Sequence, residues 1–96
     1  MHAAAVRLEV RIPGVRSLKG KRRVLEALAT LLTSTFPVAV SEVGFQDQWQ
    51  RATVGVALVA PQAGQLDRLI HGIQRVLLDH PDVELLEMGI AHMEES

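Results

Sequence analysis

Cysteine and tyrosine are absent, and one tryptophan and two phenylalanines are the whole aromatic complement of 96 residues. Without thiols there is neither a disulfide framework nor a thiolate metal site, and nothing ties the chain to an oxidising compartment, so a cytoplasmic location is expected. So few aromatics leave little for base stacking, which argues against sequence-specific reading of a single-stranded nucleic acid. Arg7, Glu9 and Arg11 interrupt the apolar amino-terminal segment. No apolar run approaches the ~18 residues of a membrane span, and neither signal peptide nor anchor is expected. The four histidines, His2, His71, His80 and His92, have no short ligand spacing, and most metal sites need at least three converging ligands. No cofactor or metal is expected. Ser17, Ser34, Ser41 and Ser96 sit in no recognisable nucleophile context, and Gly14 to Gly20-Lys21 lacks the spacing of a phosphate-binding P-loop. Nothing in the chain marks an enzyme.

What is present suffices for one domain spanning residues 1–96, because 48% of residues are hydrophobic and 22% charged. A domain this short leaves much surface exposed, and self-association is a common remedy. Val6, Leu8, Val10 and Ile12 alternate with charged residues, the pattern of a strand with one wet face, and Pro13-Gly14 ends it. Ser17 can cap the helix that follows. In that helix Leu18, Leu25, Leu28 and Leu32 recur at helical spacing, widened by Val24 and Leu31, as far as Phe36-Pro37. Val38 and Val40 open a second strand toward Val43, and Gly44 to Gln48 form a turn. A third strand begins at Trp49, carries Val54, Val56 and Leu58 on one face, and closes at Pro61. Leu66, Leu69, Ile70, Ile73, Val76 and Leu77 form the stripe of a second helix, stopped by His80-Pro81-Asp82. The last strand is expected to bury Leu86, Met88 and Ile90.

Strand, helix, strand, strand, helix, strand is the order of an α+β, ferredoxin-like split βαβ fold, a four-stranded antiparallel sheet with two helices on one face. Right-handed crossovers put the first and third strands in the centre. Arg7, Glu9, Arg11, Arg51, Thr53 and Ala57 then line an open face, which a partner sheet or a ligand could cover.

Charge is unevenly placed. Arg16, Lys19, Lys21, Arg22 and Arg23 are half of the ten Lys and Arg residues, on a chain of net charge -1. No Lys or Arg follows Arg75, whereas Asp79, Asp82, Glu84, Glu87, Glu94 and Glu95 close the sequence. The acidic end can be a solvated surface or can meet the basic end, within one subunit or across a dimer. A helix N-terminus offers free N–H groups and a positive dipole end to an anion. The same dipole disfavours cations there by ~0.3 to 1 kcal/mol each when exposed. Four cations around the first two turns, Lys19, Lys21, Arg22 and Arg23, therefore work against the helix, and such local conflicts tend to mark functional positions. Phosphate, a partner's carboxylates or plain solvent are the candidate surroundings. Gly20, costly inside a helix, either sits in a loose first turn or admits close approach of another group.

The second constellation runs from Ser41 to Arg51. A tight turn centred on Gln46-Asp47 puts Glu42 opposite Arg51 as a cross-strand ion pair, has Asp47 bond turn backbone, and lets Phe45 and Trp49 cover the core. The alternative makes Trp49 a stacking surface with Glu42 and Asp47 as a polar site beside it.

These two segments, Ser17-Leu18-Lys19-Gly20-Lys21-Arg22 and Ser41-Glu42-Val43-Gly44-Phe45-Gln46-Asp47-Gln48-Trp49-Gln50-Arg51, resemble the signatures of the YlxP-like family of small bacterial proteins. Length and element order agree over nearly the whole chain; Gln48, where an apolar residue is common, and the acidic carboxyl end depart from the pattern. The resemblance implies a ferredoxin-like fold, no assigned enzymatic activity, and a genomic setting among translation and ribosome-maturation genes. Two expectations follow. The first is a non-catalytic RNA- or ribosome-associated protein that docks phosphates on Arg16, Lys19, Lys21, Arg22 and Arg23, aided by Arg7, Arg11 and Arg51. The second is a homodimeric interaction module that uses the open sheet face and has no nucleic-acid ligand.

Overall fold

A computed structural model describes residues 1–96, in the order β1 (His2–Arg11), α1 (Leu18–Thr35), β2 (Val38–Gly44), β3 (Arg51–Ala60), α2 (Ala63–Asp79) and β4 (Glu84–Glu94). The strands form one sheet in the order β2-β3-β1-β4, with every neighbouring pair antiparallel. This is the ferredoxin-like α+β arrangement, and β1 and β3 occupy the centre as expected.

The core lies between one sheet face and the two helices. Val6, Leu8 and Val10 of β1 and Val54, Val56 and Leu58 of β3 are buried against Leu28 and Leu32 of α1 and Leu66, Ile70, Ile73 and Leu77 of α2. Each such side chain contributes roughly 1.5 to 3 kcal/mol on leaving water, so the period-two and helical stripes fix which face of each element turns inward. Ser17 caps α1, its Oγ accepting from the Gly20 N–H at 3.0 Å. Close approach at Gly20 is to that cap: a Cβ there would meet Ser17 Oγ at 3.3 Å. At the far end of α1 the Phe36 ring packs onto Gly72 of α2, filling the space a Cβ would need.

Four expectations about the elements change. Leu31 is exposed and does not widen the α1 stripe. The third strand begins at Arg51, leaving Trp49 in the preceding loop. In β4 a register shift opposite Glu9/Val10 sets Leu85 against Val10 and Glu87 against Glu9. Leu86 falls in the bulge and turns to solvent, Leu85 packs on the core in its place, and Ile90 is 41% exposed. The connection Phe45–Gln50 is longer than a tight hairpin turn, so Glu42 pairs with Val54 rather than with Arg51, and a second register shift falls between Glu42 and Gly44.

Across the open face Arg7 pairs with Gly55 and Gly89, and Glu9 with Thr53 and Glu87. The acidic end does meet basic residues within the subunit: Arg11 binds Glu84 at 3.0 Å and Arg7 approaches Glu87 at 3.7 Å. No helix is long and apolar enough to cross a membrane.

Candidate functional site

Lys21 is the only charged side chain sealed in the interior, 1% exposed. It lies seven residues before Leu28 and eleven before Leu32, both buried. Helical spacing therefore aims it at the sheet. Its ammonium meets Oε2 of Glu42 at 2.7 Å, an oxygen cut off from solvent, and donates to the Phe45 carbonyl at 2.6 Å. Glu42 arrives there because it follows Val38 and Val40 on the inward face of β2. A buried cation needs both a counter-charge and hydrogen bonds, and β2 with its following loop supplies them. Lys21 therefore does not join an exposed anion site. It is a clamp between the two segments singled out in the sequence.

The loop Phe45–Gln50 is shaped by that clamp. Gln48 N–H donates to the Phe45 carbonyl at 3.0 Å, so the turn is centred on Gln46-Asp47 as expected. Phe45 has φ 57°, the one non-glycine residue with positive φ. That conformation is uncommon for a bulky side chain and tends to accompany functional sites. Two contacts hold it: Lys21 on its carbonyl, and the Arg51 guanidinium 4.7 Å over its ring. Gln50 ties the loop to the β1–α1 connection, its Nε2 donating to the Val15 carbonyl at 3.1 Å and approaching that of Pro13 at 3.4 Å. Nothing in the sequence sets Gln50 apart from Gln46 and Gln48 for this contact.

The expectations for this loop are otherwise revised. Asp47 is exposed and bonds no turn backbone, and Phe45 (41%) and Trp49 (51%) stand in solvent instead of covering the core. Arg51 lies on the open face, 3.8 Å from Glu9. Glu9 also takes Arg7 at 3.6 Å and the Thr53 hydroxyl at 3.0 Å. Arg7, Arg11 and Arg51 are thus engaged by Glu9, Glu84 and Glu87, and do not extend a cationic surface.

Arg16, Lys19, Arg22 and Arg23 are different. All four are exposed, and none has a carboxylate within 4.0 Å, since the ion pairs use Arg7, Arg11, Lys21 and Arg51 alone. The first turn of α1 contains no acid. Four unpaired cations therefore surround a helix N-terminus at the end of the molecule where Phe45 and Trp49 are held outward. No three His, Asp or Glu side chains converge into a metal-binding group.

A protein-family model described as "Protein of unknown function (DUF503)" matches residues 3–90. The uncharacterized protein YlxP of Bacillus subtilis (strain 168) is 35% identical over 68 residues, covering 71% of this chain and 74% of that protein.

Proposed function

We propose, for a chain that belongs to the YlxP-like family of proteins of unknown function (DUF503), that it is a non-catalytic RNA-binding protein acting on ribosomal or ribosome-associated RNA. The observation that carries this reading is the set of four exposed, unpaired cations, Arg16, Lys19, Arg22 and Arg23, around a helix N-terminus without an acid in its first turn. Phosphate is the ligand that uses charge and free N–H groups together. The genomic setting that the resemblance implies narrows the polyanion to RNA.

The binding mode follows from the composition of this end. Phosphate contacts supply most of the affinity, and Trp49 and Phe45 offer a place for one or two unpaired bases to stack, a sequence-tolerant contact worth about 1 to 3 kcal/mol per base. With no tyrosine and few aromatics elsewhere, shape and backbone dominate recognition. Lys21 serves by holding the loop against α1 rather than by touching the ligand.

Trp49 is the single tryptophan and reports on its own surroundings. Titration of ribosomal RNA fragments is expected to quench its fluorescence with the same midpoint as binding followed on labelled RNA. Replacing Arg16, Lys19, Arg22 and Arg23 by alanine abolishes both signals, and Trp49→Ala weakens the second about tenfold or more. Equal RNA binding by wild type and the four-alanine variant would sink the reading.

A further inference from the structure

The open face of the sheet is built in rows. Ala39 pairs with Ala57, Ala57 with Ala5 and Ala5 with Ala91, so four alanines stand side by side across all four strands, every one exposed. On one side of this row Ser41, Gly55, Arg7 and Gly89 are in register. On the other side Ala3 stands between Val59 and Met93, which are 60% and 63% exposed. The glycine row stays low because Gly55 and Gly89 have no side chains of their own and their neighbours lie flat over them, Val43 over Gly55 and the Arg7 guanidinium over Gly89, against where a Cβ would be. The result is a shallow trough of about 670 Å³ with Ala5, Ala57 and Ala91 among its lining residues, bordered by a ridge of Val59 and Met93.

We infer that this face packs against a second copy of the chain, sheet on sheet, with the two-fold axis running along the alanine row. Rotation about that line keeps each alanine opposite itself and sets Val59 and Met93 of one subunit over the glycine row of the partner subunit. The relief is therefore self-complementary, as an isologous interface requires. Charge agrees. The face carries Arg7, Arg11 and Arg51 against Glu9, Glu84 and Glu87, matched within the subunit, so two copies meet without net repulsion; Arg7 lies beside the axis with its guanidinium flat over Gly89, and the other charged residues lie toward the rim. Area agrees as well. Four strands about 4.8 Å apart, over eight residue steps of about 3.3 Å, present about 500 Å² per subunit. The pair buries about 1,000 Å², the lower limit of a biological interface. Bare alanine, glycine and valine suit another sheet; a nucleic acid would find no unpaired cation and no aromatic ring here.

The axis makes a sharp test available, because Ala57 faces Ala57 of the partner subunit. Sedimentation equilibrium of the full chain is expected to give a dimer across the micromolar range. Ala57→Glu and Ala57→Lys, each sitting on the exposed face with far-UV circular dichroism unchanged, weaken self-association on the order of a hundredfold or more through like-charge juxtaposition, and mixing the two variants restores a dimer. A monomeric native chain overturns the inference. So does a dimer that survives both substitutions, which would place the contact elsewhere, for example on the β4 edge. Arg16, Lys19, Arg22 and Arg23 are outside this face, so loss of RNA binding and loss of the dimer are separate outcomes.

Discussion

Lys21 concentrates more consequence than any other single residue. Lys21→Met leaves the Glu42 carboxylate without its counter-ion and the Phe45 carbonyl with the Gln48 N–H as its one remaining donor. Removing one member of a buried pair is costly because the other charge remains. With Glu42 a quarter exposed, a loss of about 2 to 4 kcal/mol in denaturant unfolding is expected. Replacing both, Lys21→Met with Glu42→Met, is expected to recover most of it, to within about 1 kcal/mol of wild type, since an apolar pair fits the site without desolvated charge. If the double variant is as unstable as the single one, the clamp is not the electrostatic unit described here. Both residues were partly legible in advance. Lys21 shares the helical stripe of Leu28 and Leu32, and Glu42 shares the strand phase of Val38 and Val40. Opposite charges that each point inward imply a pair. The spacing of basic residues drew attention instead to a uniform surface cluster.

The first turn of α1 carries no acid and places cations where its dipole favours anions. Its capping serine is favourable, while Lys19, Arg22 and Arg23 sit near a dipole end that prefers anions. Lys19→Glu is accordingly expected to raise thermal stability by about 1 kcal/mol and to weaken RNA binding in parallel titrations. A variant that gains stability and keeps its affinity would show that the cations have no ligand. The strands were read well where apolar and polar residues alternate, as in β1 and β3. They were read less well where a bulge intervenes. Leu85 and Leu86 are adjacent and chemically alike, so sequence cannot say which is inward; the register shift opposite Glu9/Val10 decides it. The β2–β3 hairpin has a different register because the loop Phe45–Gln50 stands where a two-residue turn is expected, and that assumption alone produced the pairing of Glu42 with Arg51.

At the scale of the whole molecule, a net charge of -1 conceals a division of labour. One end gathers unpaired cations, the open sheet face is balanced by internal ion pairs, and the carboxyl-terminal acids are partly consumed in that balance. This distribution offers a polyanion favourable charge locally and not from every side. With four unpaired cations at the start of α1, log affinity for RNA is expected to fall against log salt with a slope of roughly 3 to 4, and the slope should flatten in step as Arg16, Lys19, Arg22 and Arg23 are removed. An unchanged slope in the depleted variant would place the phosphates elsewhere. The fold as a whole was legible because six elements in this order on a short chain admit few topologies. The convergence of the two signature segments was not, because it depends on Gln50 and Lys21 reaching across from elements far apart in sequence.

The central position of β1 also governs how the chain reaches its native state. Its neighbours are β3 and β4, and His2 pairs with Glu94, so the first strand to be made waits longest for its full complement of partners. Loop closure must be met before those pairings repay it, and folds dominated by such distant contacts assemble in milliseconds to seconds rather than microseconds. Until β4 arrives, one backbone edge of β1 is open to any passing strand.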